Sequence, residues 1–300
     1  MKYLVSLFLL ISFFSFSQEE IPVIDFVSGN YPIGKKVKIY FDKDFKPTVF
    51  NLASYYREVT FKDKNIPSGI TTDFFISGEK QSIFYASYMG LDLKGIDSLY
   101  LNGPNIQYYK NGNQRYYSNF VQGLEAFETV FYYEKTGNIQ AKVFYKNGII
   151  QKQIRYYESS EIKIISNFID GVMTQETGYH KTGEIMFGPM NYVDGLVEGQ
   201  QIAYYVTGEV EYTRNYVDDL KQGQQIGYYE SGETEYTRNW VDDLAQGQQI
   251  GYHESGEVKN KLNYVDGLKN GKEIQYSKTG TITLVLNFLN DNRSEEHTSE

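Results

Sequence analysis

The chain contains no cysteine. Disulfides, thiol catalysis, iron–sulfur clusters and thiolate zinc sites are therefore excluded together. Proline is scarce, at six in 300 residues, so no Pro-rich linker divides the chain. Histidine occurs only at His180, His253 and His297, with neither a His-x-x-x-His pair nor an HExxH motif. A nucleophile elbow and a Gly-rich phosphate loop are likewise missing. The formal charge is −9 and no stretch is strongly basic, so phosphate-backbone binding has no electrostatic footprint and nucleic acid is not an expected partner. Carboxylates are plentiful, but they recur at the same place in successive segments. Such repetition points to structure, because a catalytic pair is needed once. The reading is of a chain that is not an enzyme and takes no cofactor or metal.

One long apolar run is present, at the start. Met1–Gln18 reads MKYLVSLFLLISFFSFSQ: a lysine, a run of 14 apolar residues from Tyr3 to Phe16, then small residues at Ser15 and Ser17. This is the three-part pattern of a secretory signal peptide. The run is short for a permanent membrane anchor, and no other segment is apolar enough to span a bilayer. Without a cysteine after the run, lipoprotein anchoring is not expected. The mature chain is expected to begin near Gln18 or Glu19 and to be exported: periplasmic, associated with an outer membrane, or extracellular.

What the chain has in excess is tyrosine, 29 residues, with 19 Phe and 27 Gly. Aromatic residues favour strands and glycine supplies turns. Four consecutive segments align without gaps at 24 residues: Asn191–Arg214, Asn215–Arg238, Asn239–Leu262 and Asn263–Leu286. The first two agree at 17 of 24 positions, as duplication requires. Looser copies extend upstream through Asn167–Met190, Phe144–Ser166 and Asn119–Val143 to Gly95–Ser118. Each late unit has one turn signal at Tyr-Val-Asp-(Gly/Asp)-Leu and another at (Ser/Thr)-Gly-Glu. The intervening runs, such as Gln224–Tyr229 and Thr234–Val241, are of strand length and too short for helices. The expected fold is all-β: an elongated single-layer antiparallel sheet of tandem β-hairpins over residues 95–292. Two strands per unit at about 4.8 Å make eight units roughly 75–80 Å long.

The pattern Tyr-x-Asp-Gly-x-x-x-Gly, then an aromatic, then x-x-Gly-Glu, resembles the MORN repeat, most closely the bacterial variant found in YwqK-type antitoxin-like proteins. Gly199, Gly223, Gly247 and Gly271, and Gly208, Gly232, Gly256 and Gly280, match the family's turn glycines. The chain departs from the family in one respect: MORN units often read Gly-x-Gly after the turn, whereas here Gln200, Gln224, Gln248 and Lys272 follow the first glycine. The resemblance implies a ladder of hairpins that serves as a scaffold or binding surface.

Alternation assigns the faces. Ile226, Tyr228, Thr234, Tyr236 and Trp240 share one parity and are expected to form the packed face. The column Tyr204, Tyr228, Tyr252, Tyr276 goes with it. Tyr205, Tyr229 and His253 have the other parity and are expected to be exposed, which makes them the candidate contact surface. Asp194, Asp218–Asp219, Asp242–Asp243 and Asp266 form an acidic column, read as turn residues rather than as a calcium or basic-partner site. Residues 19–94 are less regular and are expected to cap the first edge of the ladder. Residues 293–300 (RSEEHTSE) break the repeat; they resemble a translated sequencing adapter and are read as a non-native tail without function. The expected role is an exported scaffold that binds another protein. A glycan- or envelope-binding module and an antitoxin-like protein are the alternatives.

Overall fold

The computed structural model describes residues 32–92 and 95–293. Met1–Gln18 and most of the C-terminal tail, residues 294–300, lie outside them. Among the described residues, 24 strands form one antiparallel sheet of successive hairpins that is not closed into a barrel. The regular structure besides strands is one short 3-10 turn, Phe50–Leu52. The all-β single-layer reading is what the chain adopts.

In the ladder each strand pairs with its sequence neighbours. Val210–Val217 pairs with Leu220–Tyr228, which pairs with Thr234–Val241. The first connection is a two-residue turn, Asp218–Asp219, with φ of 50° and 69°. Positive φ at both central residues defines a type I′ turn, whose twist matches that of the flanking strands. The same geometry recurs at Asp194–Gly195, Asp242–Asp243, Asp266–Gly267 and Asn290–Asp291. Aspartate and asparagine tolerate this left-handed backbone better than other side chains, so the acidic column is the turn column. The second connection is longer: the Tyr229 amide donates to the Glu233 carbonyl at 2.8 Å and the Gly232 amide to the Tyr229 carbonyl at 2.8 Å.

That second turn corrects the assignment of faces. Gly227 lies opposite Tyr236 and Ile226 opposite Thr237, and the register shifts between Gly227 and Tyr228. Residues opposite each other share a face. Paired residues here are an odd number of positions apart, so parity inverts across the turn. Tyr236 and Trp240 therefore stand on the face of Gly227 and Gln225, not with Ile226. A Cβ on Gly227 would collide with the Tyr236 ring, which lies across the glycine.

Residues 36–92 belong to the same sheet. Lys36–Phe41 pairs with Tyr55–Asp63, then Thr71–Phe75, Lys80–Asp92 and Gly95–Tyr108 follow in order. This end holds the deepest apolar cluster: Val37, Ile39, Phe41, Val59, Phe61, Phe84 and Met89. Each large side chain fully buried here contributes about 1.5–3 kcal/mol. Among the described residues Lys36–Phe41 is the edge strand, and its Lys36 and Lys38 alternate with the buried Val37, Ile39 and Phe41. At the other end, Ile282, Leu284 and Val285 of the last long strand are exposed. The ladder runs one residue past its expected limit, because Arg293 pairs with Phe288.

Candidate interaction surface

Three side-chain columns organise the repeats. The first contains Tyr205, Tyr229 and His253. The structure places them half-buried, at the start of the longer turns, rather than free on an open face. The Tyr205 hydroxyl donates to the Tyr228 carbonyl at 2.7 Å, and that of Tyr229 to the Tyr252 carbonyl at 2.7 Å. His253 Nε2 lies 3.2 Å from the Tyr276 carbonyl. The column continues upstream, from Tyr109 to the Tyr132 carbonyl (3.0 Å), Tyr133 to Tyr156 (2.8 Å), Tyr157 to Tyr179 (2.9 Å) and His180 to Tyr204 (2.9 Å). Each rung ties one repeat to the next. Burial, then Glu235 beside it, pushes the Tyr229 hydroxyl above the ordinary phenol value, and burial, then Glu211, does the same at Tyr205. The longer reach of this column was present in the sequence as an aromatic or histidine two positions before the Ser, Thr or Asn of most of the longer turns, with Ser277 in its place in the last repeat. Within-strand parity alone could not show that its hydroxyls point along the ladder.

The second column covers the face of Gly227. Gln201 and Gln225 are buried there and are held by their own neighbours. Arg214 Nε donates to Gln201 Oε1 at 2.7 Å; Trp240 Nε1 donates to Gln225 Oε1 at 3.0 Å, and Gln225 Nε2 donates to the Tyr236 hydroxyl at 3.1 Å. Cations lie over the rings: Arg214 over Tyr212 at 4.5 Å, Arg238 over Tyr236 at 4.2 Å and Lys221 over Trp240 at 4.8 Å. Such stacking is worth about 0.5–1 kcal/mol per pair at partly exposed sites. One repeat further on, the same face opens into a cleft of about 260 Å³ lined by Tyr236, Arg238, Gln249, Asn260, Leu262 and Tyr264.

The third column runs along the edge made by the type I′ turns. At six of the turns both flanking residues are aliphatic and exposed: Val121 and Leu124, Ile169 and Val172, Val193 and Leu196, Val217 and Leu220, Val241 and Leu244, Val265 and Leu268; Lys146 interrupts the series before Ile149, and Asn292 follows Leu289 at the last turn. Exposure is 57% at Val193 and 49% at Leu244. The units abut, because Leu124 leans on Gly148, Ile149 on Gly171 and Leu244 on Gly267. Where aspartate replaces the turn glycine it grips the preceding repeat instead. The Asp243 amide donates to the Lys221 carbonyl at 3.1 Å while the Lys221 amide donates to Asp243 Oδ1 at 2.9 Å. Asp219 grips Val197 and Asp291 grips Lys269 in the same way. The Lys221 amide, with its ammonium as a lesser contributor, holds the Asp243 carboxyl below the ordinary carboxylate value. From Val121 to Leu268, over six units of two strands at ~4.8 Å, the strip is about 58 Å long. A row of exposed aliphatic side chains that recurs in register differs from the single ones scattered over any surface.

Among the described residues, no group of three or more His, Asp or Glu side chains could hold a metal ion, and no helix is long and apolar enough to cross a membrane. No family model and no curated protein matches the chain. Among solved structures it is similar, at a TM-score of 0.18 and 11% identity, to a chain of the Photorhabdus luminescens Tc holotoxin pore, with 79% of this chain and 15% of that one covered. A chain of the TcdB2–TccC3–Cdc42 crystal structure gives 0.18 and 12%, with 82% and 15% covered. The chain thus spans about 15% of the length of either. Likeness at that level carries no argument about this protein.

Proposed function

We propose that this chain is an exported, non-enzymatic scaffold that binds another protein along its hairpin ladder. The observation that supports it is the aliphatic strip on the type I′ edge. A two-residue turn needs no apolar flank facing solvent, yet valine, isoleucine or leucine stands there in one repeat after another. Apolar side chains at a fixed spacing suit a partner with a matching repeat or a long apolar edge of its own. The contact surface moves accordingly from Tyr205, Tyr229 and His253, whose polar tips are bonded within the ladder, to Val217, Leu220, Val241, Leu244 and their equivalents. Export rests on the leader pattern of Met1–Gln18.

The test uses a triple variant, Leu220→Lys, Leu244→Lys and Leu268→Lys. These side chains are exposed, so the denaturation midpoint is expected to shift little, by roughly 0.5 kcal/mol or less per site. Capture of a defined protein partner from an envelope extract of the native host is expected to fall at least ~10-fold, as a lost buried apolar contact requires. Capture that is unchanged in the triple variant would place the contact surface elsewhere. Retention on cell-wall material in place of a protein would favour the glycan-binding alternative.

A further inference from the structure

A second feature lies on the face of Gly227, where the repeat pattern breaks. Glu211–Arg214 and Glu235–Arg238 both read Glu-Tyr-Thr-Arg, and the next copy, Lys259–Leu262, reads Lys-Asn-Lys-Leu. In the two earlier repeats the buried glutamine is held by side chains that follow it. Arg214 bonds Gln201, while Tyr236 and Trp240 bond Gln225. Gln249 holds the equivalent place, and each kind of partner has changed. Leu262 lies opposite it, where Gln201 has Arg214. Asn260 lies over Gly251 as Tyr236 lies over Gly227, and Tyr264 takes the place of Trp240. The cleft is the space that these shorter side chains leave.

Its polar groups are free and within reach of solvent. Among the described residues, the Gln249 and Asn260 side chains make no hydrogen bond. Both are half-buried, and neither amide has a polar atom sealed from water. The exposed Arg238 guanidinium lies over the Tyr236 ring at 4.2 Å and, among the described residues, has no hydrogen bond or ion pair. Stacking on a ring fixes a guanidinium while its in-plane N–H groups stay available. Lys259 brings a second cation to the lining and Glu235 one carboxylate. The lining is therefore net positive, in a chain whose formal charge is −9. Tyr216 and Trp240 each have a cation over the ring; among the described residues Tyr264, at the same place, has none.

We propose that this cleft binds a carboxylate joined to a peptide group, as at the C-terminal end of a polypeptide or in an N-acyl amino acid. A guanidinium fork matches a carboxylate with two parallel hydrogen bonds. Each side-chain amide offers both donors and an acceptor, so Gln249 and Asn260 suit the N–H and C=O of a peptide group. The side chain of the terminal residue lies against Tyr264, with Leu262 closing the floor. The volume, about 260 Å³, falls below the ~300–1,000 Å³ of drug-sized sites and suits a single residue.

The test titrates the full chain with N-acetyl-leucine and N-acetyl-phenylalanine, with the tripeptides Ala-Ala-Leu and Ala-Ala-Phe, and with the C-terminal amide of each, by calorimetry or ligand-observed NMR. At least one free acid is expected to bind with a Kd of about 1 mM or tighter, and its amide about tenfold more weakly. Arg238→Gln is expected to weaken the acid about tenfold. Asn260→Tyr restores the ring of the preceding repeats and is expected to weaken it at least as much. Lys135→Gln, which removes an exposed cation from an earlier turn, should leave binding unchanged. Arg238 is exposed, so its variant keeps the test readable if circular dichroism shows that Asn260→Tyr does not fold. A tripeptide that binds about tenfold tighter than its N-acetyl amino acid identifies a polypeptide end; equal binding identifies the single residue. The proposal is overturned if no acid binds the folded chain at roughly 10 mM, if the amides bind as well as the acids, or if either folded cleft variant binds as well as the parent. None of the substituted residues belongs to the aliphatic strip, so failure here and failure of the strip variant are separate results.

Discussion

At the scale of single residues, one hydroxyl decides whether a turn tyrosine is decoration or a fastening. Tyr229 reaches the Tyr252 carbonyl of the next repeat at 2.7 Å. Tyr229→Phe keeps the ring and removes that bond, so it should cost about 1 kcal/mol. Tyr229→Ala also removes the half-buried ring and should cost about 2 kcal/mol or more. Urea midpoints at unchanged slope measure both, and an alanine variant as stable as the parent would return this column to plain surface. The pH dependence follows from the raised hydroxyl value. The folded state keeps the phenol neutral after the unfolded chain has begun to ionise. The contribution is therefore whole below the unfolded value near 10 and is lost as pH rises through the folded one. Loss of stability in that alkaline window should be smaller in Tyr229→Phe.

At the scale of the hairpin, the type I′ turn combines a backbone demand with a side-chain grip. Asp243 sits at φ 64° and its carboxylate accepts from the Lys221 amide. Asp243→Ala loses the grip and still pays the left-handed penalty, about 1–2 kcal/mol in total. Asp243→Gly loses the grip but relieves the backbone, and should be close to neutral, as the natural glycine at Gly267 implies. Chemical denaturation of the two variants checks this order. Equal losses would show that the carboxylate grip, and not the backbone conformation, sets the cost. The turn was legible in the sequence, since Asp-Gly and Asp-Asp between alternating strands is a hairpin signal. The grip between repeats was not, because it joins residues 22 positions apart through a side chain.

At the scale of the whole molecule, a sheet in which each strand meets only its neighbours behaves as a one-dimensional array. Arg214 is followed by Asn215 and Arg238 by Asn239, at the same place in consecutive repeats. Deleting Asn215–Arg238 therefore rejoins equivalent residues and leaves every remaining strand with a partner of the same type. The shortened chain should fold with an all-strand circular dichroism spectrum, and its long dimension by small-angle scattering should fall by about 10 Å, two strand spacings. Unfolding of the shortened chain, or an unchanged length, would show that repeats depend on something beyond their neighbours.

Sequence alone determined the class, the period and the turns. A 24-residue repeat with two turn signals and runs of strand length leaves no room for helices, and glycine or aspartate at the turns reports a local backbone need that any copy of the segment carries with it. Which face a residue occupies was decided only by the tertiary structure. Parity is a property of one strand, and the bulge at Tyr228 with its five-residue turn inverts it before Tyr236. For the same reason Tyr205, Tyr229 and His253 looked free in the sequence and are bonded in the ladder. The buried ion pair of Arg57 and Asp73, with the Ser82 hydroxyl on the same carboxylate, had no signal at all, because it gathers residues from three strands that only the completed sheet brings side by side.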